Sequence, residues 1–384
     1  SHFVHELFHK DVSQDLELER HTVDGAGALP FANSVLEFAW PFVSEFATNI
    51  ITQLVWPEVQ GALGSLGSGL QFSGDSCDLG GRAATLRQLR ANKKTQMTDT
   101  GDITNIMVRA DLLWEGKVDI HLIWGGAEIG LRAVNLRGVL LVELVGMISQ
   151  PPFFQGFRFC FIDRPELDLE FRGQITAVCS FSIVKKKILE VVLHEIAQRL
   201  VVPNRMGSLL DPEADVFRIL KPRPTGILKL TVLRAEDLLA KDTGPFQSGA
   251  SDPYVVVVAG AENFRSQAIK RTLRPKFGFT VMLQIASAIH QHVSIQLWDE
   301  DTFSSDDFLG EVTLPVLTMI GWGKQTKVCL NLTNDEDEGG RKGAGRVWLS
   351  AVWRPLTLQE PDAGDGVGSI YVGVYHAHGA PCPS

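Results

Sequence analysis

Ile106-Met-Val-Arg-Ala-Asp-Leu-Leu-Trp114 and Gly116-Lys-Val-Asp-Ile-His-Leu-Ile-Trp124 carry the pattern that decides the fold of this 384-residue chain. In the first run Ile106, Val108, Ala110, Leu112 and Trp114 alternate with Met107, Arg109, Asp111 and Leu113. In the second, Val118, Ile120, Leu122 and Trp124 alternate with Asp119 and His121. A period of two with one wet face predicts antiparallel strands. Leu167, Leu169 and Phe171, set against Asp168, Glu170 and Arg172, repeat it. The run between them, Val139–Val145, is more uniformly apolar and predicts a strand with little water on either side.

Helical spacing flanks these strands. Val35, Phe38, Ala39, Phe42, Phe46, Ile50 and Leu54 predict a helix from Pro30 to about Leu63. Asn33 or Ser34 is its expected cap, and Pro41 is expected to bend or restart it. The glycine- and serine-rich stretch 61–69 reads as a loop. Ile188, Val192, Ile196 and Leu200 place a second helix over Ile183–Val202, ending at Pro203. Residues 30–206 thus read as an α+β domain with an apolar core, after a polar segment, 1–29, with weak helical character. Residues 207–224 read as a linker. From there to about residue 355 the pattern is all strand with regular turns, the mark of a β-sandwich. Gly226–Ala235 aligns with Gly368–Ala377, so 356–384 is either a linker opening a truncated second sandwich or a chance match.

Bulk properties agree with two folded domains: 45% of residues are hydrophobic and 21% charged. A net charge of −9 argues against nucleic acid, which needs a concentrated basic surface. It leaves a membrane partner open, because a bound divalent cation reverses the sign of a local acidic cluster. Five cysteines without a CxxC pair indicate neither a disulfide framework nor a zinc site and suit a reducing compartment. No apolar run reaches bilayer-spanning length, since Gly138–Ile148 is short and carries Glu143. The chain starts at Ser1 with neither Met nor a signal-peptide pattern, which reads as a piece of a longer protein in which an upstream anchor would not be seen.

The chemistry concentrates in residues 242–307. Asp242 and Asp252 bracket one loop, and Asp299, Asp301 and Asp307 follow the strand Val293–Trp298. Two such loops converging at one end of a sandwich gather five carboxylates, which repel unless a hard cation sits among them. Ca2+, with its flexible six to eight oxygen ligands, suits such a cage better than magnesium. Asp306 and the run 335–338 read instead as solvated loop. Phe246 and Phe303 stand at loop tips, either to enter a membrane interface or to pack back on the sandwich. Lys270, Arg271, Arg274 and Lys276 form either a second contact for phosphoinositides or an ordinary solvated strand end.

Lys241-Asp242, Ser251-Asp252-Pro253-Tyr254 and Trp298-Asp299-Glu300-Asp301, with Asp307-Phe308-Leu309-Gly310, resemble the calcium loops of C2 domains. Before them, Asp78-Leu79-Gly80, Asp102-Ile103, Pro165-Glu166-Leu167-Asp168 and Val202-Pro203-Asn204-Arg205 resemble the SMP domain of the extended synaptotagmin and tricalbin family. The resemblance implies a TULIP-like half-open tube of highly twisted antiparallel sheet wrapped by helices, followed by an all-β C2 sandwich. It also implies glycerophospholipids as cargo, an anionic membrane (phosphatidylserine or phosphoinositide) as docking surface, and an end-to-end homodimer through the SMP domain. The implied place is the cytosolic face of the endoplasmic reticulum, at contacts with the plasma membrane.

Residues on the dry face of the strands are the candidate groove: Ile106, Val108, Leu112, Trp114, Ile120, Leu122, Leu140, Val142, Leu169 and Phe171. Periodicity alone does not separate a lined groove from a filled core. His5-Glu6-Leu7-Phe8-His9 fits the zinc-binding HExxH pattern, but no apolar helix flanks it and no third ligand is apparent. No nucleophile elbow or phosphate loop is present. The expectation is a non-enzymatic lipid transporter and tether, and the alternative is a calcium-sensing adaptor whose apolar domain is only structural.

Overall fold

The computed structural model describes residues 23–24, 26–64, 69–98, 101–124, 126–173, 179–222, 224–238, 251–301, 306–323, 326–334 and 344–356. The first 22 residues, the HExxH pattern among them, and the tail proposed as a second sandwich lie outside these.

The first domain is one curled antiparallel sheet, a half-barrel, with a few helices packed against it. Its strands are β1 (Val23–Asp24), β2 (Leu70–Asp78), β3 (Thr85–Thr98), β4 (Gly101–Trp124), β5 (Ala127–Met147), β6 (Phe154–Phe161), β7 (Glu166–Arg172) and β8 (Met206–Leu209). They run in the order β1-β3-β4-β5-β6-β8, with β2 also on β4 and β7 also on β5. The two alternating runs at 106–124 form one strand of 24 residues, not two. Gly116 does not end it: a Cβ there would meet the Trp114 ring at 2.5 Å, so the glycine makes room for the indole. Register shifts between Arg87 and Arg90 and between Lys117 and Ile120 add the local twist that curls such long strands.

Helix α1 spans Leu29–Ile50, continues through a π-helical turn, Ile51–Val55, and becomes α2, Trp56–Leu63. Pro41 does not restart it. Nor do Asn33 or Ser34 cap it: the helix starts earlier, with Ala28 at the cap and a proline in the first turn, where a missing N–H costs nothing. Asn33 instead clips α1 to the sheet. Its Oδ1 accepts from Leu86 N at 2.7 Å and its Nδ2 donates to Leu86 O at 3.2 Å. Helix α3 spans Cys179–Leu200. The stretch expected to be linker supplies strand β8, paired with β6, and a short helix α4, Val216–Leu220, whose Ile219 is fully buried.

The second domain is a sandwich of two four-stranded antiparallel sheets. One holds β9 (Gly226–Glu236), β12 (Phe279–Ile285), β15 (Val328–Asn331) and β16 (Arg346–Pro355). The other holds β10 (Pro253–Ala259), β11 (Glu262–Arg265), β13 (His292–Asp299) and β14 (Asp307–Pro315), the last followed by the short helix α5, Val316–Ile320. Alternation does the work here: Leu228, Leu230 and Val232 are fully buried against Val255, Val257, Ile295 and Leu297, while Lys229 points to water.

The domains touch along Asp163–Arg164 and Val202. Arg164 donates to Gly260 O at 3.0 Å and Ala261 O at 2.9 Å, and Ala261 N donates to Val202 O at 2.8 Å. Gly260 has φ +57, and a Cβ there would strike the Val202 carbonyl. His292 Nδ1 lies 2.8 Å from Asp163 Oδ2, and the hydrogen bond to Asp163 raises the imidazole pKa above its ordinary 6.5, against a smaller opposing effect of burial. A raised folded pKa contributes stability below the unfolded value and loses it as pH climbs through the folded one. Replacing His292 by Asn should therefore lower the thermal midpoint at pH 5.5 and hardly change it at pH 8.5. The pair is part-exposed, so the effect is below about 1 kcal/mol. A difference between the two proteins that does not vary with pH would rule this contact out.

Candidate functional site: a lipid groove and a cation-binding loop end

Cross-strand partners define the inner face of the sheet. Ile106, Val108, Ala110 and Leu112 on β4 oppose Leu144, Val142, Leu140 and Gly138 on β5. Leu144, Val142 and Leu140 in turn oppose Phe157, Phe159 and Phe161 on β6. The uniformly apolar run on β5 is thus not shielded on both sides. Leu141, Glu143 and Val145 are buried on the outer face, whereas Leu140, Val142 and Leu144 keep contact with solvent on the inner one. Glu143 is buried there because it pairs with Arg158, itself buried.

The ten expected groove residues divide in two. Ile120, Leu122 and Leu169 are buried in a packed cluster with Val59, Phe181, Val184 and Ile188, and Trp114 and Phe171 lean on the same cluster. Leu112 and Leu140 pack beside Phe161, Ala197 and Val201. Helices α2 and α3 have filled this end, so these residues serve as core. Ile106, Val108 and Val142 belong to none of the packed clusters formed by the described residues and stay partly exposed. With Leu144, Phe157 and Phe159 they form a part-exposed apolar stretch of the inner face.

A second apolar surface escaped the sequence reading. Trp40 anchors α1 inward, its Nε1 donating to Gly80 O at 2.8 Å and its ring 5.3 Å from that of Trp114. At about 100° per residue, Phe31, Val35, Phe38, Phe42 and Phe46 fall on the opposite side. Phe38 is 79% exposed and Phe42 75%. The helical spacing was legible, but it reads as a stripe facing its own core; only Trp40 and Asn33 reveal which side docks.

At the sandwich end, β10, β13 and β14 lie side by side, with Pro253 opposite Asp299 and Asp299 opposite Asp307. This brings Asp252, Asp299 and Asp307 to one edge. A register shift between Leu297 and Trp298 precedes the site. Asp299 is 1% exposed, and its Oδ1 accepts from Asp252 N at 2.6 Å. Asp301 N donates to Asp306 Oδ1 at 3.1 Å, and Asp306 Oδ2 also accepts from the Tyr254 hydroxyl at 2.7 Å. Asp306 is therefore a part-buried, hydrogen-bonded loop residue rather than a freely solvated one. Asp242, Phe246 and Phe303 lie outside the described residues. Among the described residues no group of three or more His, Cys, Asp or Glu is arranged to hold a metal ion.

The basic stretch is partly committed to this acidic end. Lys270 Nζ bridges Asp252 Oδ2 at 3.1 Å and Glu300 Oε2 at 2.9 Å, and Arg271 N donates to Asp252 Oδ1 at 2.7 Å. Burial pushes the Asp252 pKa up, but these contacts outweigh it and hold the carboxyl below its usual range. Arg265, not singled out in the sequence, reaches Glu300 at 2.9 Å and lies 3.7 Å from the centre of the Tyr254 ring. Arg274 lies 3.7 Å from Asp237, and Lys276 is exposed. An ammonium that bridges two carboxylates marks where positive charge is wanted. Carboxylate oxygens are the donor type a hard cation takes, but the described residues alone do not assemble three of them around one point.

A tube-like sheet with an open apolar stretch, joined to a sandwich with an acidic loop end, defines a lipid-binding SMP domain followed by a C2 domain. Comparison with known proteins gives the same division. Residues 27–210 match the model of the Synaptotagmin-like mitochondrial-lipid-binding domain and residues 226–330 that of the C2 domain. The chain belongs to the extended synaptotagmin family. Extended synaptotagmin-2-B of Xenopus laevis is 26% identical over 89% of the chain, and extended synaptotagmin-1 of Homo sapiens 27% over 84%. The chain spans 39% and 28% of the lengths of those relatives. The solved structure of extended synaptotagmin 2, comprising its SMP domain and the two C2 domains that follow, shares the fold. Its TM-score is 0.52, with 22% identity over 84% of this chain and 65% of that one. No helix among the described residues is long and apolar enough to cross a membrane.

Proposed function

We propose that the chain carries glycerophospholipids between apposed membranes without performing chemistry on them, and that Ca2+ docks its C2 domain on an anionic bilayer. The observation that carries the reading is the open inner face at Ile106, Val108, Val142 and Leu144, which packed helices leave uncovered. Two acyl chains exposed to water cost on the order of 20 kcal/mol, at roughly 0.8 per methylene. A continuous apolar lining offsets most of that, so a lipid leaves its bilayer while its headgroup stays in water. The resemblance to extended synaptotagmins supports contacts between the endoplasmic reticulum and the plasma membrane as the place of action in this reading. Native mass spectrometry of the purified chain tests the cargo. Phospholipid adducts are expected; an adduct-free protein would leave only the calcium-sensing adaptor.

The phenylalanine stripe of α1 supports a homodimer. Four largely exposed rings on one helix exceed what monomers usually leave uncovered, and the stripe faces away from its own sheet. Replacing Phe38 and Phe42 by Glu should convert a dimer into a monomer by light scattering, with secondary structure unchanged. A dimeric variant that has lost its lipid would assign the stripe to acyl chains instead.

A further inference from the structure

On the outer face of the SMP sheet, where the C2 domain sits against it, a cleft of about 60 Å3 is walled by both domains. That is several times the roughly 15 Å3 that one water requires. Asn92, Lys94, Glu143, Arg158 and Arg205 come from the SMP side, and Ser287 and His290 from the C2 side. Of the charged side chains lining it three are cations and one, Glu143, is a carboxylate. Glu143 is already paired with Arg158, whose Nη1 also donates to Ile219 O at 2.8 Å. Arg205 donates Nη1 to Pro203 O at 3.2 Å, but its Nε is buried without a hydrogen-bond partner, and so is Asn92 Oδ1. Buried donors and acceptors are nearly always satisfied by protein, water or an ion, and an anion in this cleft would satisfy the Arg205 donor while offsetting its charge. Burial, followed by the neighbouring Arg205 charge, pulls the Arg158 pKa down to about 9. Glu143 offsets one of these two charges, and a further anion beside Arg205, which otherwise faces the Cys160 thiol, would offset the other.

We infer that this cleft binds a phosphate-class oxyanion, which fastens the C2 domain to the SMP domain. Arg205 supplies the donor and Asn92 an acceptor for the hydroxyl of a monoprotonated phosphate. Lys94 adds charge. The inference does not depend on the lipid groove or the calcium loops, which lie elsewhere on the molecule. The same phosphate chemistry comes from free phosphate or from a phosphatidic acid headgroup, so the test has two arms.

The full chain is titrated calorimetrically with inorganic phosphate against chloride at constant ionic strength. It is also floated with vesicles containing phosphatidic acid, without calcium. Saturable one-to-one phosphate binding is expected, weakened at least tenfold in Arg205→Gln and partly kept in Arg205→Lys. Lys94→Gln, a strand-surface change, gives a second reading if Arg205→Gln does not fold. Vesicle binding that needs Arg205, without phosphate heat, keeps the site and names the headgroup as its ligand. No saturable heat and no Arg205-dependent vesicle binding, or binding unchanged in both Arg205→Gln and Lys94→Gln, overturns it.

Discussion

Replacing Val108 and Val142 together by Trp should strip the purified protein of bound phospholipid, with lipid occupancy falling at least tenfold and the fold intact. The two valines are cross-strand partners on the inner face, and both keep contact with solvent. Two indoles there would fill the space a hydrocarbon tail needs. Because the positions are not enclosed, the larger rings meet no opposing wall, and the stability cost is small. Ile120 is the control. It is 6% exposed within the packed cluster, so Ile120→Trp overfills a closed core and should cost about 1–3 kcal/mol without selectively removing lipid. Native mass spectrometry beside thermal melts separates these outcomes. A Val108→Trp, Val142→Trp protein that retains a full lipid complement would mean the open stretch is not where the tail lies.

That contrast also shows how far the residues could be read directly. Alternation at 106–124 and 167–171 identifies strands because period two survives any tertiary arrangement. It does not tell which part of an apolar face is covered, since that depends on helices far away in the chain. Val184 and Ile188 close one end over Ile120 and Leu169, yet nothing in those strands records it. The uniform run 139–145 misled for a related reason. Glu143 is tolerated on a buried face because Arg158 neutralises it, and the apolar residues between are the ones that meet solvent. The linker reading at 207–224 missed β8 and α4 because they are too short for their periodicity to register. At the loops, spacing and resemblance single out the acidic residues, and the fold brings Asp252, Asp299 and Asp307 to one edge. The parts played by Asp306 and Arg265 were not legible, because they act through Tyr254 and Glu300, which only the fold brings near.

Asp299→Asn combined with Asp301→Asn should abolish calcium-stimulated binding to anionic vesicles, while calcium-free binding stays at its basal level. Asn keeps an oxygen that can accept from Asp252 N, so the loop backbone retains its 2.6 Å anchor. What is lost is two negative charges at the end of β13, where a divalent cation needs them. Lys270 bridges Asp252 and Glu300 beside that end. On the proposed reading calcium competes with this ammonium for Asp252, and the released ammonium is then available to lipid phosphate beside Arg271. Lys270→Gln should consequently bind calcium more tightly than the wild type, yet gain less membrane affinity from it. Vesicle flotation over a calcium titration reads both effects. Undiminished calcium-stimulated flotation in the double Asn protein would remove the cation from this end of the sandwich, and with it the proposed switch.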